Sequence, residues 1–105
     1  MLGTFLKGAT AAVGLEFVGS NAFAQTTTTY SITGLTGGID TAPRAGDLVV
    51  ACVGVGTGNA PTLTNTQGYT KAAQERDTGA SNGIVTGVFY KVLDTEETSI
   101  TIFDG

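Results

Sequence analysis

Residues 47–56 have the sequence DLVVACVGVG, a nearly continuous apolar run in which valine recurs. A second run, IVTGVFYKVL, occupies residues 84–93. Apolar runs of this length, rich in β-branched side chains and bounded by glycine and polar turn residues, are typical of β-strands. Because the first run is apolar at nearly every position, we predict that Asp47–Gly56 is a central strand covered on both faces.

Weaker patterns on either side of these runs predict the remaining strands. They are Leu15–Val18, Thr26–Thr33, Tyr69–Glu75 and Thr98–Phe103. The segments between them are rich in Gly, Asp, Asn and Thr, which are turn and loop residues. Six short strands at such intervals, with no predicted helix, predict an all-β antiparallel sandwich or jelly-roll-like fold.

The size of the chain is enough for one domain. It has 105 residues, of which 16 are glycine and only 13% are charged, and its net charge is −4. A chain of this length supports one hydrophobic core. We therefore divide the sequence into an N-terminal arm, residues 1–14, and a single β-sandwich domain, residues 15–105.

The composition argues against most enzyme classes. The chain has no histidine and one cysteine, so it offers no histidine general base and no cysteine zinc cage. It has 5 basic against 9 acidic residues, which is not the charge balance of a nucleic-acid-binding protein. We expect no enzyme activity, no catalytic, cofactor-binding or metal-ligating residues, no cofactor and no nucleic-acid partner. No stretch approaches the roughly 18 apolar residues of a membrane span, so no membrane association is expected.

Two features of the first strong run could carry chemistry. Cys52 lies inside it, and we predict a buried structural thiol because nothing nearby would activate it. Gly54–Gly58 is a glycine-rich end of the kind found in phosphate-binding loops. However, Asn59 stands where the third glycine of that motif would be, and no helix is predicted after it. We therefore interpret this stretch as a glycine-rich strand end.

The acidic residues form no convincing site. Asp94, Glu96 and Glu97 cluster in one turn but lack the spacing of a calcium loop, so a solvated hairpin turn is the better interpretation. Glu75 and Asp77 could act as the carboxylate pair of a glycosidase, but the chain has no Trp to form a sugar platform. A small hydrolase is accordingly the weakest hypothesis.

The aromatic residues of the second strong run predict its orientation. Phe89 lies between apolar neighbours and is assigned to the core. Tyr90 then points to the opposite face, where it could border a surface or an interface.

The N-terminus allows two interpretations. Lys7, a mildly apolar stretch and the Ala22-Phe23-Ala24 sequence are compatible with a secretory signal cleaved after Ala24. In that case the protein would be a secreted glycan- or surface-binding module. The alternative, a flexible arm, is favoured because Gly8–Leu15 is weakly hydrophobic and is followed by Glu16.

Several short motifs occur in a recognisable order. They are Gly46–Ala51 at the start of a strand that ends in glycines, the turn Pro61–Thr64, the step Gly68-Tyr69-Thr70, the strand Val88–Val92 and the strand Thr98–Phe103. The third is similar to a "G-W/Y-T" step and the fourth to a "V-Y-Y-K-V" strand. This order resembles that of the β-sandwich domain common in virion proteins of tailed phages, and the resemblance covers Leu15–Phe103. It implies a non-enzymatic structural protein located in the virion, and no catalytic residues.

One departure from that family bears on assembly. Such domains usually continue with further strands after the element that corresponds to Thr98–Phe103. The sandwich is then either shortened or closed by a neighbouring chain, and an edge filled by a partner strand is a common mode of assembly. We expect a homo-oligomer whose arm, Met1–Val13, reaches a neighbouring subunit. The leading hypothesis is a capsid decoration (cement) subunit bound to the major capsid protein. The alternative within the same class is a tail or fibre component involved in host adsorption.

Overall fold

β-Strands and no helix form the regular structure of the residues described by the computed structural model, which are 6–7, 9–10, 15–23, 28–56, 62–76 and 83–103. The strands are β1 (Leu6–Lys7), β2 (Ala9–Thr10), β3 (Thr29–Ser31), β4 (Leu48–Gly56), β5 (Thr70–Arg76), β6 (Ile84–Val92) and β7 (Ser99–Thr101). All of their pairings are antiparallel. The prediction of an all-β antiparallel fold is therefore confirmed.

The larger sheet has three strands in the order β4-β6-β5. β4 and β6 pair over their full length, from Leu48 opposite Val92 to Gly56 opposite Ile84, without a shift in register. β5 lies on the other side of β6, and its register shifts between Lys71 and Ala73. The central strand of this sheet is consequently β6, whereas β4 and β5 are its edges.

The position of β4 corrects one prediction. Its side chains alternate between half-buried and exposed, so that Val49 and Ala51 face the core while Leu48 and Val50 face outward. The prediction of a central strand covered on both faces is wrong for the described chain. The prediction failed because both faces of β4 are apolar, although only one of them is covered by the described residues.

The smaller sheet pairs β3 with β7, for example Thr29 with Thr101. An isolated bridge continues it on the far side of β7, where Thr64 and Phe103 exchange backbone hydrogen bonds of 2.9 and 2.8 Å. The two sheets together contain five strands, one fewer than the six predicted, and their arrangement is sandwich-like.

Side chains close the edge of β7 that does not pair with β3. The Nδ2 atom of Asn65 donates to the carbonyl oxygen of Thr101 at 2.8 Å. The amide of Gln67 spans two residues, because its Oε1 accepts from the Thr101 N–H at 2.7 Å and its Nε2 donates to the Ser99 carbonyl at 3.0 Å. Two polar side chains thus satisfy the backbone groups that another strand would otherwise bond.

The core lies between the two sheets. Its most deeply buried side chains are Phe89, Leu63, Leu93, Ile100 and Val85. Close packing there depends on Gly87 of β6, because a Cβ atom at that position would lie 2.8 Å from Cδ1 of Leu63. The core is therefore built by residues of both sheets together with the segment that precedes β5.

The predicted strand Leu15–Val18 is not a strand. Phe17 and Val18 instead accept backbone hydrogen bonds of 3.1 and 3.0 Å from the loop of residues 36–40. This loop approaches very closely, since a Cβ atom on Gly38 would lie 2.4 Å from both carbonyl oxygens. The segment pairs with an irregular loop, so a regular ladder cannot form along it.

The predicted N-terminal arm is only partly within the described residues. Leu6 pairs with Thr10, and Lys7 pairs with Ala9, in a minimal hairpin of β1 and β2. Among the strands, these two make contacts only with each other. The rest of the predicted arm lies outside the described residues, as do Ala24 and the predicted cleavage point after it.

Candidate assembly surface

The larger sheet presents an apolar outer face to solvent. This outer face is apolar except for the hydroxyl groups of Thr86 and Tyr90, and it consists of Leu48, Val50, Cys52, Gly54 and Gly56 on β4 and Ile84, Thr86, Val88, Tyr90 and Val92 on β6. Leu48, Val50 and Val92 are 60%, 57% and 59% exposed. Scattered apolar side chains on a protein surface are ordinary, but these lie side by side in the register of two paired strands.

The outward face of the smaller sheet is polar, in contrast to that of the larger sheet. The outward residues of β3 and β7 are Thr29, Ser31, Ser99 and Thr101, all of which carry hydroxyl groups. The inward residues of the same strands include Ile100, which is 1% exposed. The alternation of apolar inside and polar outside therefore holds in the smaller sheet and fails in the larger one.

Charge is also missing from the outer face. Lys91 is the one charged residue within β4 and β6, and it belongs to the inner face. Its Nζ atom donates to the Gln67 carbonyl and to Oε2 of Glu97, both at 2.6 Å. β4 and β6 consequently place no charged side chain on the outer face, whereas Glu75 of β5, opposite Thr86, points to the same side of the sheet.

The two edges of the larger sheet differ sharply. β5 carries Lys71, Glu75 and Arg76, and the bulge at Ala72 interrupts its pairing. Charges and bulges are the devices by which natural proteins protect sheet edges from further strand pairing. The nine residues of β4, Leu48–Gly56, contain no charge, no proline and no bulge.

A groove runs beside the outer edge of β4, where the sandwich is open. Its volume is about 490 Å³, and its walls come from residues 49–54, Asn21–Phe23 and Tyr30–Ile32, with Ile100. Ile32 and Ile100 are also core residues, so the groove reaches the interior of the sandwich.

The opposite wall of this groove is partly closed. Asn21 donates through Nδ2 to the carbonyl oxygens of Ser31 and Thr33, at 3.2 and 2.9 Å, along the edge of β3. A smaller cavity of about 150 Å³ continues the groove toward Leu48. Along β4 itself, no described strand pairs with the outer edge.

The structure settles the orientation of two residues singled out in the sequence. Cys52 is exposed on the outer face, so the prediction of a buried thiol is wrong. The reason is the edge position of β4, which leaves one of its faces uncovered. Tyr90 and Phe89 lie on opposite faces as predicted, with exposed fractions of 42% and 1%.

The acidic turn after β6 is engaged in structural contacts. Glu97 accepts from Lys91, and its Oε1 atom lies 3.4 Å from the hydroxyl of Tyr69. Burial, followed by the nearby charge of Glu97, raises the pKa of Tyr69 to about 12. The ammonium group of Lys91 also lies 5.6 Å from the centre of the Tyr69 ring. With Glu97 committed to this cluster, Asp94 and Glu96 are left as exposed turn residues.

The other residues considered as metal ligands or catalytic groups do not form a common site among the described residues. Within the described ranges, no three His, Cys, Asp or Glu side chains are placed to hold a metal ion. Gly54 and Gly56 lie within β4, whereas residues 57–61 and Asp77 lie outside the described residues.

Asp40 forms a surface ion pair with Arg44 at 2.8 Å. Hydrogen bonds from the Thr41 backbone and from Arg44 lower the pKa of the Asp40 carboxyl group.

Comparison with known proteins identifies no relative, because no family model, curated protein or solved structure matches the chain. In the described part of the chain, no helix has the length and hydrophobicity required to cross a bilayer.

Proposed function

We propose that this protein is a non-enzymatic structural subunit of a phage virion, and specifically a capsid decoration subunit that binds the major capsid protein. The observation that carries the proposal is the exposed, uncharged outer face of β4 and β6. A contiguous apolar face on a small domain is typical of a surface that another protein covers. The sequence resemblance to virion β-sandwich domains supplies the choice of a virion among possible assemblies.

The low charge of the chain supports the same role. Charged residues make up 13% of the sequence, against about 25% in average globular proteins. The cores of protein interfaces are depleted of charge, so a decoration subunit that contacts a shell over much of its surface would have this composition. The open groove beside β4 adds an edge at which a neighbouring strand could bind.

The direct test is quantitative mass spectrometry of purified particles, counting copies of this chain per copy of the major capsid protein. A ratio near one, or a simple fraction of it, is the expected result. A count of a few to a few dozen copies per particle would instead indicate a tail or fibre component. Absence from particles, with the protein found in the medium and starting at Gln25, would contradict both and favour the secreted binding module.

A paired variant tests whether the outer face makes the contact. Val92→Lys places a charge on the outer face at a position that is already 59% exposed, so the isolated domain should fold normally. We expect at least a tenfold loss of occupancy on particles, because the charge would have to be desolvated on binding. Thr29→Lys, on the outward side of the smaller sheet, is the matched control and should leave occupancy unchanged.

A further inference from the structure

We propose that a second copy of this chain binds along the outer edge of β4, antiparallel to it, with a two-fold axis at Cys52. The product is a continuous six-stranded sheet in the order β5-β6-β4-β4-β6-β5. This inference deepens the proposed assembly function, since it names one partner and the strand that receives it. The homodimer can nevertheless exist whether or not the protein is a capsid component.

Among the described residues, no strand pairs with the outer edge of β4. Asp47 accepts a backbone hydrogen bond of 2.9 Å from Leu93, which places its carbonyl on the side of β6. In an antiparallel ladder, such hydrogen-bonded positions alternate with positions whose N–H and C=O groups point away from the partner. The backbone groups of Leu48, Val50 and Cys52 therefore point toward the outer edge, beside the open groove.

The contrast between the two edges indicates which one receives the strand. The β5 edge presents Lys71, Glu75 and Arg76 and is broken by a bulge. A partner strand at that edge would meet these three charged side chains, and it would also meet a gap in the hydrogen-bond ladder. β4 pairs with β6 over nine residues without a shift in register, and it has no charged side chain.

The glycines of β4 lack an explanation within the described chain. A Cβ atom at Gly54 would make only ordinary contacts, at 3.8 Å or more, and one at Gly56 would meet nothing within 4 Å. Neither glycine has a positive φ. Glycine inside a strand weakens it and often marks a place where another backbone approaches.

The sequence of β4 is complementary to itself. Full overlap of two antiparallel copies pairs Leu48 with Gly56, Val50 with Gly54, and Cys52 with its own counterpart. Each large outward side chain then lies beside a glycine of the other copy and covers its bare backbone, as large neighbours do for glycines in designed sheets. The same register forms five hydrogen-bonded pairs, or about ten bonds, which is the number in a typical protein interface.

Charge does not prevent a second copy from binding at this edge. The chain carries a net charge of −4, so two copies repel each other through most of their surfaces. Antiparallel pairing of β4 brings the uncharged residues of the two β4 strands into contact and holds Glu75 of each β5 at the far ends of the joined sheet. A strand-only interface falls at the small end of the size range, so association in the micromolar range is expected.

The test measures the mass of the full chain in solution as its concentration is raised from about 5 to about 500 µM. Analytical ultracentrifugation should show a shift from 10.6 kDa toward twice that mass. Because the chain has one cysteine, a short bismaleimide reagent can give only one cross-linked product, joining Cys52 to Cys52. A monomer at every concentration would overturn the proposal, whatever the particle experiments show.

Variants at three positions locate the interface. Cys52→Lys places two ammonium groups opposite each other on the axis and should weaken dimerisation at least tenfold, whereas Cys52→Ser should change it less than about threefold. Val92→Lys adds the same charge to the outer face but one strand away from the edge, and should also have little effect. If Val92→Lys abolished the dimer as Cys52→Lys does, the copies would be stacked through their outer faces and edge pairing would be excluded. Val50→Lys, read by the same measurement with circular dichroism as a folding check, replaces Cys52→Lys if that variant fails to fold.

Discussion

At the scale of single residues, the contact between Phe17–Val18 and the loop of residues 36–40 requires a residue without a side chain at position 38. Gly38 lies where a Cβ atom would be 2.4 Å from the carbonyl oxygens of Phe17 and Val18. These atoms belong to the backbone, which cannot move aside as a side chain can. The two hydrogen bonds that join this loop to the segment are therefore possible only with glycine at position 38.

We expect Gly38→Ala to lower the free energy of unfolding by about 2 kcal/mol, as overpacking does in other proteins. Urea denaturation monitored by circular dichroism measures this change. Gly56→Ala is the matched control, because no atom lies within 4 Å of the added methyl group and its φ is not positive. It should be neutral or slightly stabilising. Equal effects of the two substitutions would show that the close approach at Gly38 is unimportant.

The pKa of Tyr69 predicts an alkaline limit to stability. Its pKa is raised to about 12 in the folded protein, against about 10 in an unfolded chain. The unfolded state therefore loses the phenolic proton first as the pH rises, and stability falls between pH 10 and about 12. Below pH 10 both states keep this proton, and the phenol adds no pH dependence.

Tyr69→Phe should remove part of this alkaline loss, on the order of 1 kcal/mol, because solvent screening reduces the full effect of the shift. Unfolding free energies measured at intervals from pH 9 to pH 12 test this expectation for both proteins. Tyr90→Phe, at an exposed position, serves as the control and should keep the slope of the parent protein. An unchanged slope in Tyr69→Phe would exclude Tyr69 as its source.

At the scale of elements, the edge of β7 is held by side chains in place of a strand. Gln67 alone bonds one backbone N–H and one backbone carbonyl of β7. We expect Gln67→Ala to cost about 2 kcal/mol, because two partly buried backbone groups lose their partners. Amide hydrogen exchange should also speed up at Thr101, while Thr66→Ala, at an exposed neighbouring position, should change neither quantity. Unchanged exchange at Thr101 would mean that water replaces the glutamine.

The sequence predicts the long elements of this fold well and their surroundings poorly. Residues 47–56 and 84–93 match β4 and β6 to within one residue at each end, because apolar β-branched runs have few alternatives to a strand. Leu15–Val18 fails because its partner is an irregular loop, which no local pattern reveals. The edge position of β4 could not be predicted either. An apolar strand has the same sequence pattern whether its second face is covered by this chain or by another chain.

At the scale of the whole molecule, the outer face should govern solubility more than stability. The double variant Val50→Thr/Val92→Thr changes two side chains that are 57% and 59% exposed. We expect the free energy of unfolding to stay within about 0.5 kcal/mol of the parent value. The amount of protein that remains soluble in ammonium sulfate should rise, and binding of an apolar dye should fall. A stability loss well above 1 kcal/mol would instead mean that the outer face is packed within the single chain.

The pairing of β3 with β7 also has a consequence for how the chain folds. Thr29 lies opposite Thr101, so the smaller sheet joins residues 72 positions apart. Closing a loop of that length is slow, whereas β4, β5 and β6 are contiguous in sequence and need much shorter loops. The larger sheet can therefore form before β3 and β7 close the smaller one. In that interval the core side of β4 and β6 has no smaller sheet over it, so the partly folded chain exposes apolar strands that chaperones could bind.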